Sequence, residues 1–174
     1  MKIFVKSRQW MENQLQNNPE WFMNKWIISI FSSHGNKNYS PFPDRYNICK
    51  LQFDDVTEID PDECHFSDEL AHKLIDFICQ INSENKPIYV HCDAGVSRSG
   101  AIGYLLNEWF NKYLKINEED KVIFEHYNSH IMPNPEVVRI LKRAMFGIPY
   151  SGIYTNDYTF NEDGERIDNI QEVH

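Results

Sequence analysis

The 174-residue chain is 41% hydrophobic and 14% aromatic and carries a net charge of −9, which suits one domain with a real core. The charge argues against nucleic acid as a partner, because duplex phosphates need a basic face; a phosphate ester would need a locally positive site. No apolar run reaches the roughly 18 residues of a membrane span, so no membrane partner is expected.

In chain order, KIFVK (2–6) reads as a short strand, and Ser7 as the N-cap of a helix over 8–16. The N-terminus meets Ser7 and Arg8 too early for a signal peptide. WIISIF (26–31) is nearly all apolar, as in a strand covered on both faces. Gly35, Pro41 and Pro43 make 32–46 a loop, and NICKLQF (47–53) is the next strand. An acidic stretch, 54–69, begins as loop. Ser67, followed by Asp68 and Glu69, then caps a helix to about Asn82, with Leu70, Leu74, Phe77, Ile78 and Ile81 at helical spacing. KPIYV (86–90) is a strand that tolerates Pro87 at its start. A helix from Arg98 to about Leu114 is apolar almost all round and is expected to be central. A helix follows near 118–128. Another begins after PNPE, with Asn134 as cap and Pro135 at the first helical position. Strands alternating with helices predict an α/β fold whose central sheet is mainly parallel. Residues 1–148 are read as one domain. Residues 149–174 are an acidic tail without sustained periodicity, for which disorder is the expectation.

The chemistry lies in HCDAGVSRSG, where an apolar strand gives way to a helix. Ligands of open α/β sheets bind at such strand ends. The loop Asp93, Ala94, Gly95, Val96 and Ser97 is expected to turn its backbone N–H groups inward as a nest at the positive end of the helix. Arg98 adds a planar fork able to hold two oxygens of a phosphate or other oxyanion. The same positive field favours the thiolate of Cys92. Gly95 allows a backbone conformation closed to other residues. Gly100 is expected to let the helix approach the sheet, and Ser99 to hydrogen-bond the sulfur. His91 orients the loop through backbone contacts rather than carrying a proton. A chance C-x5-R is common, but adding His91, Gly95 and Ser99 in register takes coincidence to the order of 10⁻⁵.

These residues resemble the signature H-C-x-x-G-x-x-R-S/T of the cysteine-based protein tyrosine phosphatase superfamily. The AGVSRS wording is most similar to its dual-specificity branch, and the resemblance spans roughly residues 26–146. It implies a phosphorylated protein substrate and catalysis without metal or other cofactor. In that scheme the Cys92 thiolate attacks phosphorus, a carboxylic acid protonates the leaving oxygen, and water then hydrolyses the phosphocysteine. The family's acid lies on a loop after the preceding strand, here QFDDVTEID. Asp55 fits best, Asp54 is the alternative, and Asp60 and Asp62 come next. Asp93 beside the nucleophile, and the absence of paired lysines in its loop, weigh against inositol phosphates. The rivals are a phosphatase for an RNA 5′-phosphate or a phospholipid, and a phosphopeptide-binding pseudoenzyme.

The remaining features carry less. Cys49, Cys64, Cys79 and Cys92 lack metal-ligand spacing and are too few for a disulfide scaffold, which points to a reducing cytoplasm. Cys49 is a candidate guard for an oxidised Cys92, although an inert buried thiol is the simpler reading. His34, His65, His72, His126 and His130 are scattered and predict no metal site. The four tryptophans read as core, and Tyr154 and Tyr158 as solvated tail residues.

Overall fold

The computed structural model describes residues 1–35, 38–57, 62–81, 86–115, 118–147, 158–160 and 166–168. Four parallel strands form the central sheet in the order β1-β4-β2-β3: β1 Ile3–Ser7, β2 Trp26–Phe31, β3 Ile48–Gln52 and β4 Ile88–Cys92. The apolar run of β2 is explained by its two covered faces. Ile28 and Ile30 join Val5, Leu51 and Val90 beneath the helices α2 (Asp68–Gln80), α3 (Arg98–Asn107), α4 (Glu118–Tyr127) and α5 (Pro135–Phe146). Ile27 points the other way with Ile48, under Met11 of α1 (Arg8–Asn17), Phe22 and Phe42.

Because every strand runs the same way, their carboxyl ends share one edge of the sheet. There Ser7 pairs in register with Cys92, and Phe31 with Gln52. The chain order reverses around β4, so Cys92 emerges between the ends of β1 and β2, where such sheets bind ligands.

The helix ends follow the sequence. Ser7 closes β1 and caps α1 by accepting from the Trp10 N–H at 3.2 Å. Ser67 caps α2 from the Leu70 N–H, and Asn134 caps α5. Helix α3 is buried along nearly its whole circumference, as its apolar sequence requires.

Four details depart from expectation. β4 begins two residues later than predicted and runs on to Cys92, because its pairing with β1 continues to Ser7. The helix from Arg98 changes at Glu108–Tyr113 to a π-helix, whose wider turn buries the consecutive residues Phe110 and Asn111. The close approach of α3 to the sheet belongs to Gly103 rather than Gly100. A Cβ on Gly103 would stand 2.5 Å from Val5 Cγ2 of β1, whereas one on Gly100 would meet Ile131, ahead of α5. Within the tail, β5 (Tyr158–Phe160) and β6 (Arg166–Asp168) pair antiparallel. Strands of three residues leave no periodicity for a sequence reading to detect. Tyr154 lies outside the described residues.

Candidate active site

The turn from β4 into α3 carries the signature. Gly95 has φ +78°, and a Cβ there would stand 2.5 Å from the backbone of Lys6 and Ser7. Only glycine meets both constraints, so the loop lies flush against the end of β1. Its N–H donates to Cys92 Sγ at 3.3 Å, and Ser99 Oγ lies 3.0 Å from the same sulfur. The thiol is buried at the base of the loop. The Asp93 carbonyl accepts from the Arg8 N–H at 3.2 Å, which ties the loop to the start of α1.

After β3 the two adjacent aspartates separate. Asp54 is buried. Its carboxylate accepts from the Ser33 N–H at 2.8 Å, from the Ser33 hydroxyl, and from the Cys64 N–H at 2.9 Å. Burial works to raise Asp54, but the bonds from Ser33 and Cys64 outweigh it and bring the carboxyl down to about 2. Asp55 faces the signature loop instead. Its Oδ1 accepts from Ser97 Oγ at 2.7 Å and from Asn134 Nδ2 at 2.8 Å. One side chain is a clamp within its own loop; the other spans to the loop that follows Cys92. Asp62 sits in a turn, its carbonyl 3.1 Å from His34 Nε2, and Asp60 lies outside the described residues.

Residues 26–145 match the family of the dual specificity phosphatase, catalytic domain. The chain belongs to this family. Dual-specificity phosphatases are hydrolases of phosphate esters, so the domain implies a phosphate-bearing substrate. No curated protein matches the chain. Among solved structures, the Cydia pomonella PTP-2 phosphatase is 18% identical, with coverage of 94% of this chain and 91% of that one and a TM-score of 0.51. The human tyrosine phosphatase-like serine/threonine/tyrosine-interacting protein is 18% identical, covers 79% and 83%, and gives 0.46. PTPMT1, crystallised with PI(5)P, is 16% identical, covers 82% and 89%, and gives 0.45. At these identities the likeness is one of fold.

In this phosphatase Arg98 is buried, and most of its donors are already engaged. Nη1 donates to the Phe53 carbonyl at 2.7 Å and to Ser32 Oγ at 3.0 Å, and Nη2 to Asp93 Oδ2 at 2.8 Å. Of the five N–H donors of a guanidinium, Nε–H and one on Nη2 have no partner among the described residues. Asp93 also accepts from Ser32 Oγ at 3.0 Å, so its carboxylate braces the arginine instead of reaching into solvent. Ala94 and Val96 complete the loop, and the Val96 carbonyl accepts from the Met132 N–H at 3.2 Å.

His91 Nε2 lies 2.8 Å from Ser29 Oγ, which lies 2.7 Å from Ser40 Oγ. The histidine therefore orients the loop through a side-chain relay to β2 and the 38–46 loop, not through backbone contacts alone. Burial pushes the imidazole down to about 4, against an opposing pull from the Cys92 backbone. It is neutral at physiological pH.

Cys49 does not reach Cys92. It pairs with Ile28, and Ile28 with Val90, which places it two strands away, about 10 Å across the sheet. Cys92 lies a further two residues along, beyond the roughly 7 Å reach of a disulfide. Burial pushes the Cys49 thiol up to about 11. His34, Asp54 and Glu63 bring possible ligand atoms within 4.8 Å of one another, but both Asp54 oxygens already accept hydrogen bonds there.

The sequence reading missed Ser32, Ser33, Cys64 and the second role of Asn134. Ser32 and Ser33 open a loop of no regular pattern, and Asn134 was visible only as a helix cap.

Proposed function

We propose that this chain hydrolyses phosphotyrosine in proteins through a phosphocysteine intermediate, with phosphoserine and phosphothreonine as further substrates. The observation that carries the reading is the convergence of Cys92, Ser99, Arg98 and Asp55 on one loop. The partnerless Nε–H of Arg98 supports it, because a buried N–H without a partner costs about 1–3 kcal/mol and a phosphate oxygen would satisfy it.

Cys92 Sγ attacks phosphorus. An S–P bond forms, and the P–O bond to the leaving group breaks as Asp55 gives that oxygen its proton. Water then attacks phosphorus, the S–P bond breaks, and the water's proton passes to the Asp55 carboxylate. The Ser99 hydroxyl and the Gly95 N–H, both at the sulfur, stabilise the departing thiolate. Asp54 is unsuited to the acid's task because its carboxylate is held within its own loop by Ser33 and Cys64.

Two features favour an aromatic phosphoester on a polypeptide. Tyr39, exposed and stacked on the Arg8 guanidinium at 4.5 Å from its ring centre, offers an aromatic face on the residue whose N–H holds the Asp93 carbonyl. A groove of about 1020 Å³ runs from Val96 and Ser97 along α3 and α4 past Met132; it adjoins the loop without being lined by Cys92, Arg98 or Asp55, and has room for an extended peptide. The four free thiols suit a reducing cytoplasm.

The test uses two aryl phosphates of different leaving-group basicity. A phenol with pKa near 10 needs the proton, whereas a dinitrophenol leaves unaided. Asp55→Asn should lose on the order of 100-fold in kcat on the former and far less on the latter; Asp54→Asn should show no such split. Cys92→Ser should abolish turnover and still bind vanadate. A Cys92→Ser protein keeping a hundredth of the wild-type rate would remove Cys92 from the mechanism.

A further inference from the structure

Asn134 is 1% exposed, and both ends of its amide are engaged. Oδ1 accepts from the Glu136 and Val137 N–H groups at 3.0 and 3.1 Å. Nδ2 donates to Asp55 Oδ1 at 2.8 Å and to the Val56 carbonyl at 3.1 Å. Its backbone N–H donates to the Ser97 carbonyl at 3.2 Å. The amide cannot be flipped, since that would set an oxygen against a carbonyl and a carboxylate, and an NH₂ against two N–H groups. Helix capping accounts for Oδ1 alone; serine or aspartate would cap as well. Nothing about capping calls for the two donations from Nδ2.

We propose that Asn134 is a positioning residue for the general acid, fixing the Asp55 carboxyl over the signature loop and deciding which of its oxygens carries the proton. The inference rests on the reading of Asp55 as the acid. Asp55 is exposed on a loop, where a free side chain would spread over several rotamers. Two donors, Asn134 Nδ2 and Ser97 Oγ, converge on Oδ1. An oxygen that accepts two donors is a poor place for a proton of its own, so the acidic proton resides on Oδ2. Ser97 can serve because, although it stands at the N-cap of α3, its hydroxyl makes no capping bond. One buried residue thus joins the acid loop and the start of α5 through its side-chain amide and the nucleophile loop through its backbone N–H, the kind of preorganisation on which proton transfer depends.

Asn134→Ser tests this, because its hydroxyl still caps α5 while the amide donations are lost. On phenyl phosphate kcat should fall by about tenfold or more, and on a dinitrophenyl phosphate by less than about threefold. Inhibition by inorganic phosphate should not change. In an Asp55→Asn background the same substitution should have no further effect. Equal losses on the two esters, or a loss that persists without Asp55, would overturn the inference and leave Asn134 as a cap. If Asp55→Asn shows the leaving-group split and Asn134→Ser does not, the positioning role alone falls. If Asp55→Asn shows no split, the acid assignment falls first and takes this inference with it. Should Asn134→Ser not fold, Asn134→Asp keeps the shape and the cap, and turns an acceptor toward Asp55. It should reproduce the split more strongly, and its failure to do so counts equally against the proposal.

Discussion

Most of the guanidinium donors of Arg98 are committed to neighbouring residues of the fold. Phe53, Ser32 and Asp93 hold three of its donors, which fixes the plane of the guanidinium. Lysine keeps the charge but has neither the fork nor the means to satisfy those partners at once. Arg98→Lys should therefore lose at least about 2 kcal/mol in kcat/KM, roughly 30-fold, measured by steady-state kinetics on an aryl phosphate. A near-neutral effect would mean that the fork does not touch the phosphate. The signature spacing made Arg98, Cys92, Gly95 and Ser99 legible from the sequence, because each answers a local demand of the loop. The bracing by Asp93 was not legible, since nothing in the sequence tells whether an acidic side chain beside a nucleophile turns outward or back. Asp54 and Asp55 were separable only by counting from the end of a strand. The structure separates them by what their oxygens accept.

At the scale of elements, periodicity carried the reading wherever burial was one-sided or complete. β2 and α3 declared themselves by apolar residues in every direction, α2 by a stripe following its cap at Ser67, and α5 by Asn134 and Pro135 at its start. The π-helix at Glu108–Tyr113 stayed hidden because it preserves helical composition and changes only the winding. The glycines of α3 were misassigned because a sequence does not say which face meets the sheet. Their difference can be measured. Gly103→Ala would gain up to about 1 kcal/mol of helix propensity, but its Cβ falls 2.5 Å from Val5 Cγ2. Val5 is fully buried and β-branched, hence stiff at χ1 and unable to swing aside. Overpacking of this kind costs about 1–3 kcal/mol, so the clash should win and the urea midpoint should fall. Gly100→Ala, with its Cβ 3.1 Å from Ile131, should be nearer neutral. The reverse order would return the close approach to Gly100.

For the whole molecule, two opposing effects set the response to acid. The chain carries −9 at neutral pH, so falling pH first relieves self-repulsion and ought to stabilise it. His91 works the other way. In the unfolded chain it titrates at its ordinary 6.5; in the fold, burial holds it down to about 4. Protons therefore bind the unfolded state first. The stability that His91 contributes is fully present above pH 6.5 and is lost as pH falls toward 4. The shift corresponds to about 3 kcal/mol across that window. The exposed His34, raised by its bond to the Asp62 carbonyl, opposes it only weakly, since solvent screens it. The depressed carboxyls act lower down: Asp54 titrates near 2, and Asp44 and Glu136 below their ordinary 3.8 and 4.5. Between pH 6.5 and 4.5 the histidine should thus dominate, because diffuse surface repulsion at physiological salt is damped over a screening length of about 8 Å. Urea unfolding followed from pH 7 to 4.5 should show stability falling with a slope approaching 1.4 kcal/mol per pH unit. His91→Asn does not titrate, so it should flatten that slope or invert it as relief of the negative charge takes over. If the wild-type protein gains stability down to pH 4.5, net charge governs the fold and the His91 relay to Ser29 and Ser40 tolerates a proton.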